Sequence, residues 1–282
     1  MPNRIETIAA AIGYVEEHLA GELDLERVAA AVHYSKYYLH RTFTQMVGLT
    51  LHDYIQRRRL TEAAKLLVFS AQPILDIALM AGYESQQAFT DVFTAMYKQP
   101  PSRFRENEAF YPLQLKFELR GRYRMLEGRE EPRWEPAPAG EEDIPRWMEL
   151  VRLVVDGFPR LEEEEYLRVL RARIAARQAL ILKDGEIAAG ILLFSPERGV
   201  IDFMGTHPLY RGRGIPQAFL EKVMNGLPRG REISITTYRA GDRADTGHRR
   251  EIMGLGFAEA ELLVEFGYPT QRFVLPTEGG YA

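Results

Sequence analysis

The stretch LDLERVAAAVHYSKYYLHRTFTQMVG, Leu23 to Gly48, reads as two short helices around a tight turn. Leu25, Val28, Ala29 and Val32 recur at helical spacing and make one apolar stripe. His33 and Tyr34 break it. Ser35 then offers a side-chain oxygen to the unpaired amides of a second helix. The apolar side of that helix is Leu39, Phe43, Met46 and Val47, and Gly48 ends it. Two short helices joined in this way form a helix-turn-helix unit.

The same grammar returns fifty residues later in PILDIALMAGYESQQAFTDVFTAMY, Pro73 to Tyr97. Here Ile74, Ile77, Ala78 and Ala81 form the stripe and Gly82 makes the turn. Ser85 caps a helix whose apolar side is Phe89, Phe93 and Met96. Between the two units, TLHDYIQRRRLTEAAKLL reads as one long helix opened by Thr50 with Asp53 three residues on. An earlier helix begins near Asn3 and Glu6, with Ile5, Ile8, Ala9, Ile12 and Val15 at helical spacing.

A helix that reads DNA keeps an apolar side on its own domain and turns polar tips toward the major groove. The outward positions of the first unit are Lys36, Tyr37, His40, Arg41 and Thr44. Those of the second are Gln86, Gln87, Thr90, Asp91 and Thr94. Glutamine can pair bidentately with adenine and arginine with guanine. Arg57, Arg58, Arg59, Lys65, Lys98, Arg103 and Arg105 are the cations available for phosphates. Two reading helices on one rod could enter successive major grooves, roughly 34 Å apart. Asp91 is the discordant residue, because phosphates repel a carboxylate, although it can accept from a cytosine amine.

Residues 8–107 resemble the DNA-binding domain of AraC/XylS-type bacterial transcription regulators. The stretches that carry the likeness are LDLERVAAAVHYSKYYLHRTF, YIQRRRLTEAAKLL, PILDIALMAGYESQQAFTDVF and QPPSRFR. The last two, with YSKYYL, are most similar to the subgroup that governs multidrug and superoxide stress responses. The resemblance implies binding to double-stranded promoter DNA and activation through contact with RNA polymerase. In that subgroup a basic residue is common at the position of Asp91. Most such proteins carry this domain last; here it comes first, which leaves the second domain as the sensor of a small-molecule effector.

The rest of the chain changes character. Around residues 108–140 Tyr, Arg, Pro and Glu dominate, as in GREEPRWEPAPAGEED, a boundary composition. FYPLQLKFELRGRYRML, within it, has the spacing of extended strands. From 141 helical and strand patterns alternate, the mark of a mixed α/β domain. EDIPRWMELVRLVVDGF and LEEEEYLRVLRARIAARQ read as helices, the glutamates of the second suiting a helix N-terminus. ALILKDGEIAAGILLF reads as a hairpin turning at Asp184-Gly185. GVIDFMGTHP is a third strand and LYRGRGI a loop; a helix follows on Leu220, Val223, Met224 and Leu227. EISITTY is a strand, GHRREIMGLGF a helix, and AELLVEF and QRFVL close the sheet.

Glycines at 212 and 214 let a backbone curl its amides inward ahead of a helix, where a phosphate is held by free N–H groups. Residues 132–275 resemble the GNAT superfamily of N-acetyltransferases, whose cofactor motif matches RGRGIP, Arg211 to Pro216. THPLYRG and HRREIMGLGF fit the family's approach to that loop and its late helix. The resemblance implies that the amides of Arg211, Gly212, Arg213, Gly214 and Ile215 hold the pyrophosphate of acetyl-CoA or CoA. It also implies that the strand around Met204 to Thr206 pairs with the pantetheine arm. Three positions depart from the pattern. Pro216 removes one donor, Ile252 stands where the family carries its acid tyrosine, and Asp245 stands near the usual asparagine. Asp202 or Glu265 as base, and Tyr238 or Tyr268 as acid, are the substitutes on offer, and none sits in a motif that assigns catalysis.

The expected architecture is therefore an all-helical double helix-turn-helix domain over 1–107, a connecting segment of extended strands over 108–133, and a GNAT-like mixed α/β domain with a central twisted sheet over 134–282. The expected function is a regulator whose second domain senses a ligand such as acyl-CoA. The alternative is a bifunctional protein that also transfers an acetyl group to an amine. The chain has 282 residues, 46% of them hydrophobic, a net charge of −4 and no cysteine. Those values exclude disulfides and thiolate chemistry and leave any DNA contact to local basic faces. No metal is expected, and no apolar run approaches the roughly 20 residues of a membrane helix. Acidic residues interrupt the N-terminal segment where a signal peptide would be apolar. The expected location is cytoplasmic, associated with the nucleoid, as monomer or homodimer.

Overall fold

The computed structural model describes residues 4–117, 134–154, 163–228, 230–265 and 267–276. They fall into two compact units, one holding the described residues up to 117 and the other those from 134 onward.

The first unit is helical: α1 Arg4–Glu17, α2 Leu25–Ala31, α3 Lys36–Val47, α4 Leu51–Phe69, α5 Ile74–Met80, α6 Gln86–Tyr97 and α7 Pro101–Glu106. The cap expected at Asn3 lies outside the described residues. Thr50 caps α4 as expected, its hydroxyl accepting from the Asp53 amide at 3.1 Å while donating to that carboxylate at 2.7 Å. The α4 helix is the rod on which the rest is built, and it buries Leu51, Tyr54, Leu60, Ala64 and Leu67. Its second half joins Ile77, Ala78, Phe89, Phe93, Tyr97 and Phe104 in one core. Aromatic rings on α6 and α7 meet edge to face there, Phe93 and Phe104 at 5.3 Å and 86°.

Residues 108–117 are not the extended strands expected of them. They form an irregular segment laid on α4 and fastened by side chains. Thr61 Oγ1 accepts from the amides of Leu113 and Gln114, both at 3.1 Å. Tyr54 Oη accepts from the Phe117 amide at 3.2 Å. Three of its amides are thus satisfied by side chains of α4 rather than by a neighbouring strand. The remainder of the connecting segment, 118–133, lies outside the described residues.

The second unit is a seven-stranded sheet in the order β1-β2-β3-β4-β5-β7-β6. The strands are β1 Ala137–Pro138, β2 Ala179–Asp184, β3 Ile187–Ser195, β4 Val200–Thr206, β5 Ile233–Tyr238, β6 Ala258–Glu265 and β7 Tyr268–Leu275. All neighbours run antiparallel except β4 and β5. The helices are α8 Ile144–Val154, α9 Glu163–Ala175, α10 Ile215–Gly226 and α11 His248–Gly254. The β2–β3 turn falls one residue later than expected, at Gly185-Glu186, with Asp184 already paired to Ile187. Met224, expected on the apolar side of α10, is 50% exposed.

Two glycines show how closely helices approach this sheet. A Cβ on Gly190 would lie 2.6 Å from Ile215 and 2.7 Å from Phe219, both on α10. One on Gly205 would lie 2.9 Å from Val154 of α8. Gly205 pairs with Ile191, the neighbour of Gly190. Because successive strand residues face opposite ways, α10 and α8 cover opposite faces. The N-terminus of α10 is thereby fixed on the centre of β3.

Candidate nucleic-acid interface and cofactor loop

The reading helices α3 and α6 are twins. Each has twelve residues, and each opens on a serine, Ser35 or Ser85, whose hydroxyl accepts from the third amide onward, at 3.3 and 3.2 Å. The turns before them match as well. Tyr34 N–H donates to Ala29 C=O and Tyr83 N–H to Ala78 C=O, both at 3.0 Å. That pattern needs a left-handed residue, supplied by His33 at φ 60° and by Gly82 at φ 82°.

The outward faces differ in chemistry. On α3, Lys36, Tyr37, His40 and Arg41 are exposed, Tyr37 to 80%. On α6, Gln86, Gln87 and Asp91 are exposed and Thr90 is half-buried. The i,i+4 spacing of Gln87 and Asp91 brings them together, and Gln87 Nε2 donates to Asp91 Oδ1 at 2.8 Å. In the sequence both residues fall on this face, and the bond between them comes from the helical geometry.

Arg57 is a correction. It is 3% exposed and lies within the helical core, so it cannot reach a phosphate. Its neighbours are also committed internally. Arg58 is paired with Glu16 and Glu62. Arg59 donates to the carbonyls of Leu19 and Gly21. Arg105 donates to those of Leu67 and Gln72. Three consecutive arginines on a central helix look like a basic stripe in sequence, but such a helix has little outer face; Arg57 is buried, and Arg58 and Arg59 hold the bundle. Lys65 and Arg103 are exposed.

In the second unit the 207–214 loop sits between the end of β4 and α10. Gly212 and Gly214 take φ of 74° and 73°. The amides of Arg211 and Arg213 donate to Pro208 and Tyr210, both at 3.3 Å, and the first helical bond is Ala218 N–H to Gly214 C=O. The free set is therefore not the run from Arg211 to Ile215. It is Gly212, Gly214, Ile215 and Gln217, whose amides have no backbone partner among the described residues. Pro216, at the second helical position, has no N–H to give. Behind the loop, Trp134 Nε1 donates to the Arg213 carbonyl at 2.7 Å and Tyr210 Oη to Asp184 at 2.8 Å. Trp134 lies 79 residues from its partner, and no spacing in the sequence announces it.

Met204 and Thr206 lie on β4, paired with Leu192 and Gly190 of β3. On its other side β4 pairs with β5 only at Val200/Ser234 and Ile201/Ile235. Beyond Ile201 that edge of β4 is unladdered. The candidate base Asp202 is tied to Arg173 and Arg198, each at 2.9 Å, and accepts from Ser195 at 2.6 Å. Tyr268 donates to Asp242, Tyr238 stacks on His248 at 6.1 Å, and Glu265 accepts from Thr270. Ile252 is buried.

Residues 28–107 match a family described as a helix-turn-helix domain. The regulatory protein SoxS of Escherichia coli is 43% identical over 94 residues, which are 33% of this chain and 88% of SoxS. The chain belongs to the AraC-type helix-turn-helix family. It is also 38% identical over 115 residues to the right origin-binding protein of E. coli, spanning 40% of each chain. This AraC-type protein thus covers about two-fifths of that relative's length. A GNAT-family acetyltransferase structure from Bacillus cereus overlies 52% of this chain and 99% of its own, at 13% identity and a TM-score of 0.41, a likeness too slight to build on. No described helix is long and apolar enough to cross a membrane.

Proposed function

We propose that this AraC-type protein is a sequence-specific regulator of transcription that places α3 and α6 in successive major grooves of promoter DNA. One observation carries the reading: two identically capped helices, fifty residues apart on one central helix, each present a polar face and bury the opposite one. Side chains on such a face reach base edges, and a rigid rod sets the spacing between them. The test is selection of bound duplexes from a randomised pool, followed by changing Gln86 and Gln87 together to alanine. Loss of a few kcal/mol at the selected site with weak non-specific binding retained supports base reading. Equal loss on random DNA rejects it. Contact with RNA polymerase belongs to the same proposal.

The second domain we read as a sensor of an acyl-CoA or a related phosphorylated ligand. Support comes from the four free amides at the start of α10 and from the unladdered edge of β4 beside it. The transferase alternative is less well supported by side chains, since Ile252 is in the core and Asp202 is held by two arginines. Acetyl-CoA is expected to raise the melting temperature by mass action, and Gly214→Glu, at a left-handed position, to abolish the rise. No shift at millimolar acetyl-CoA would reject the sensor reading. Release of free CoA in the presence of amines would restore the transferase.

A further inference from the structure

The bond between Gln87 and Asp91 constrains what α6 can show to a base. A solvated glutamine amide can turn over, exchanging its donor and acceptor ends. A carboxylate only accepts, so with Asp91 as partner the nitrogen of Gln87 must face it and the carbonyl oxygen must face away. The exposed pair then offers two acceptors, Gln87 Oε1 and Asp91 Oδ2, and one donor, the second Nε2 proton. In the major groove adenine presents an amino donor beside the N7 acceptor, and cytosine presents an amino donor. Guanine presents two acceptors, and thymine an acceptor and a methyl group. The first pair of bases matches this face; the second leaves a carboxylate against a carbonyl oxygen.

We propose that Asp91 is a specificity-determining residue that locks Gln87, so that the pair selects an amino base, adenine or cytosine, and rejects guanine and thymine where α6 meets the groove. This rests on the reading of α6 as a groove-binding helix. The counterpart of Asp91 on α3 is Arg41, fifty residues earlier. The two helices therefore divide the work. The first adds attraction to any duplex, while the second subtracts some and returns it as discrimination, through a repulsive element aimed at the wrong base.

The experiment is duplex selection from a randomised pool with the full chain, as wild type, Asp91→Asn, Asp91→Glu and Gln87→Ala. The wild type is expected to enrich A or C at one position within the site. Asp91→Asn, which adds a donor, is expected to relax that position about tenfold, leave the rest of the site unchanged and tighten binding to random DNA. Asp91→Glu is expected to keep the rejection of G and T, and Gln87→Ala to weaken it. Both residues are exposed, so the variants retain the fold, checked by circular dichroism. If Asp91→Asn selects the same base as strongly as the wild type at an otherwise intact site, the lock is wrong and the groove reading stands. If the wild type enriches no sequence, the groove reading falls, and the lock with it.

Discussion

Arg58 and Glu16 form a bidentate ion pair inside the helical domain, Nε and Nη2 of the guanidinium each donating at 2.8 Å to a separate carboxylate oxygen. The side chains are 8% and 12% exposed. Tyr54 donates to the same carboxylate, and Arg58 Nη1 reaches the Gln114 carbonyl at 3.1 Å. One polar knot thus joins α1, α4 and the segment that leaves α7. Breaking a buried pair from one side costs about 3–5 kcal/mol, because a desolvated charge is left behind, whereas replacing both partners by apolar groups costs far less. Glu16→Gln is expected to destabilise the helical domain by about 3 kcal/mol. Glu16→Leu combined with Arg58→Met should recover most of that loss in urea unfolding. A double variant as unstable as the single one would show that the knot is more than a pair.

The two turns invite a reciprocal exchange. His33 occupies a left-handed conformation that costs an L residue about 1–2 kcal/mol, and Gly82 occupies the same conformation without that cost. His33→Gly is expected to stabilise the domain by up to about 1 kcal/mol. Gly82→Ala is expected to cost more than the conformational term alone, since the new Cβ would sit 3.0 Å from the Arg59 guanidinium. That guanidinium is held on the carbonyls of Leu19 and Gly21 and has little room to retreat. Thermal unfolding of both variants measures the pair; shifts of the same sign would contradict it.

These residues also show what the sequence made legible. Ser35, Ser85, Gly48 and Gly82 act through bonds to residues within a few positions of themselves, so their roles were readable from spacing. The apolar stripes were readable for the same reason. Arg57 and Arg58 were not. The environment of Arg58 is set by α1 and by the segment around Gln114, distant in sequence. Arg57 is enclosed in the bundle, and a local pattern could not tell a basic face from a buried one. The loop at Gly212 and Gly214 was legible as a curl of backbone. Which of its amides stay free depends on two successive tight turns, the 3-10 turn over Pro208–Tyr210 that takes the Arg211 amide and the next that takes the Arg213 amide. Residues 108–117 had strand-like composition, but their hydrogen bonds go to Thr61 and Tyr54, which no pairing rule would propose.

Buried phenols make the helical domain sensitive to alkali. Burial pushes Tyr111 and Tyr83 up to about 12 and also raises Tyr97 well above the ordinary phenol value. An unfolded tyrosine ionises near 10. As pH rises past about 10, the unfolded chain releases phenol protons that the folded chain keeps, so Tyr111 and Tyr83 make stability fall with pH until they titrate in the folded chain near 12. Tyr111→Phe removes one such group, along with its 3.4 Å bond to the Tyr97 carbonyl. The variant should lose stability less steeply between about pH 10 and about 12. Denaturant midpoints taken across that interval test this, and an unchanged slope would mean that Tyr111 ionises as easily folded as unfolded.

The arginines that look alike in sequence should separate by their response to salt. Arg41 stands exposed on α3, and Arg57 is enclosed by the bundle around α4. A cation that displaces counterions from DNA contributes about one unit to the slope of log affinity against log salt. Arg41→Ala is expected to lower that slope by about 1 if the guanidinium lies on phosphate. If it lies on guanine, the loss will instead concentrate at one base pair, at about 1–3 kcal/mol. Arg57→Met is expected to leave the slope unchanged and to lower the melting temperature, because an internal group is lost. Binding isotherms at several salt concentrations, with melting curves of the same preparations, separate these outcomes. A reduced slope for Arg57→Met at unaltered stability would place that side chain on the DNA and overturn its assignment to the core.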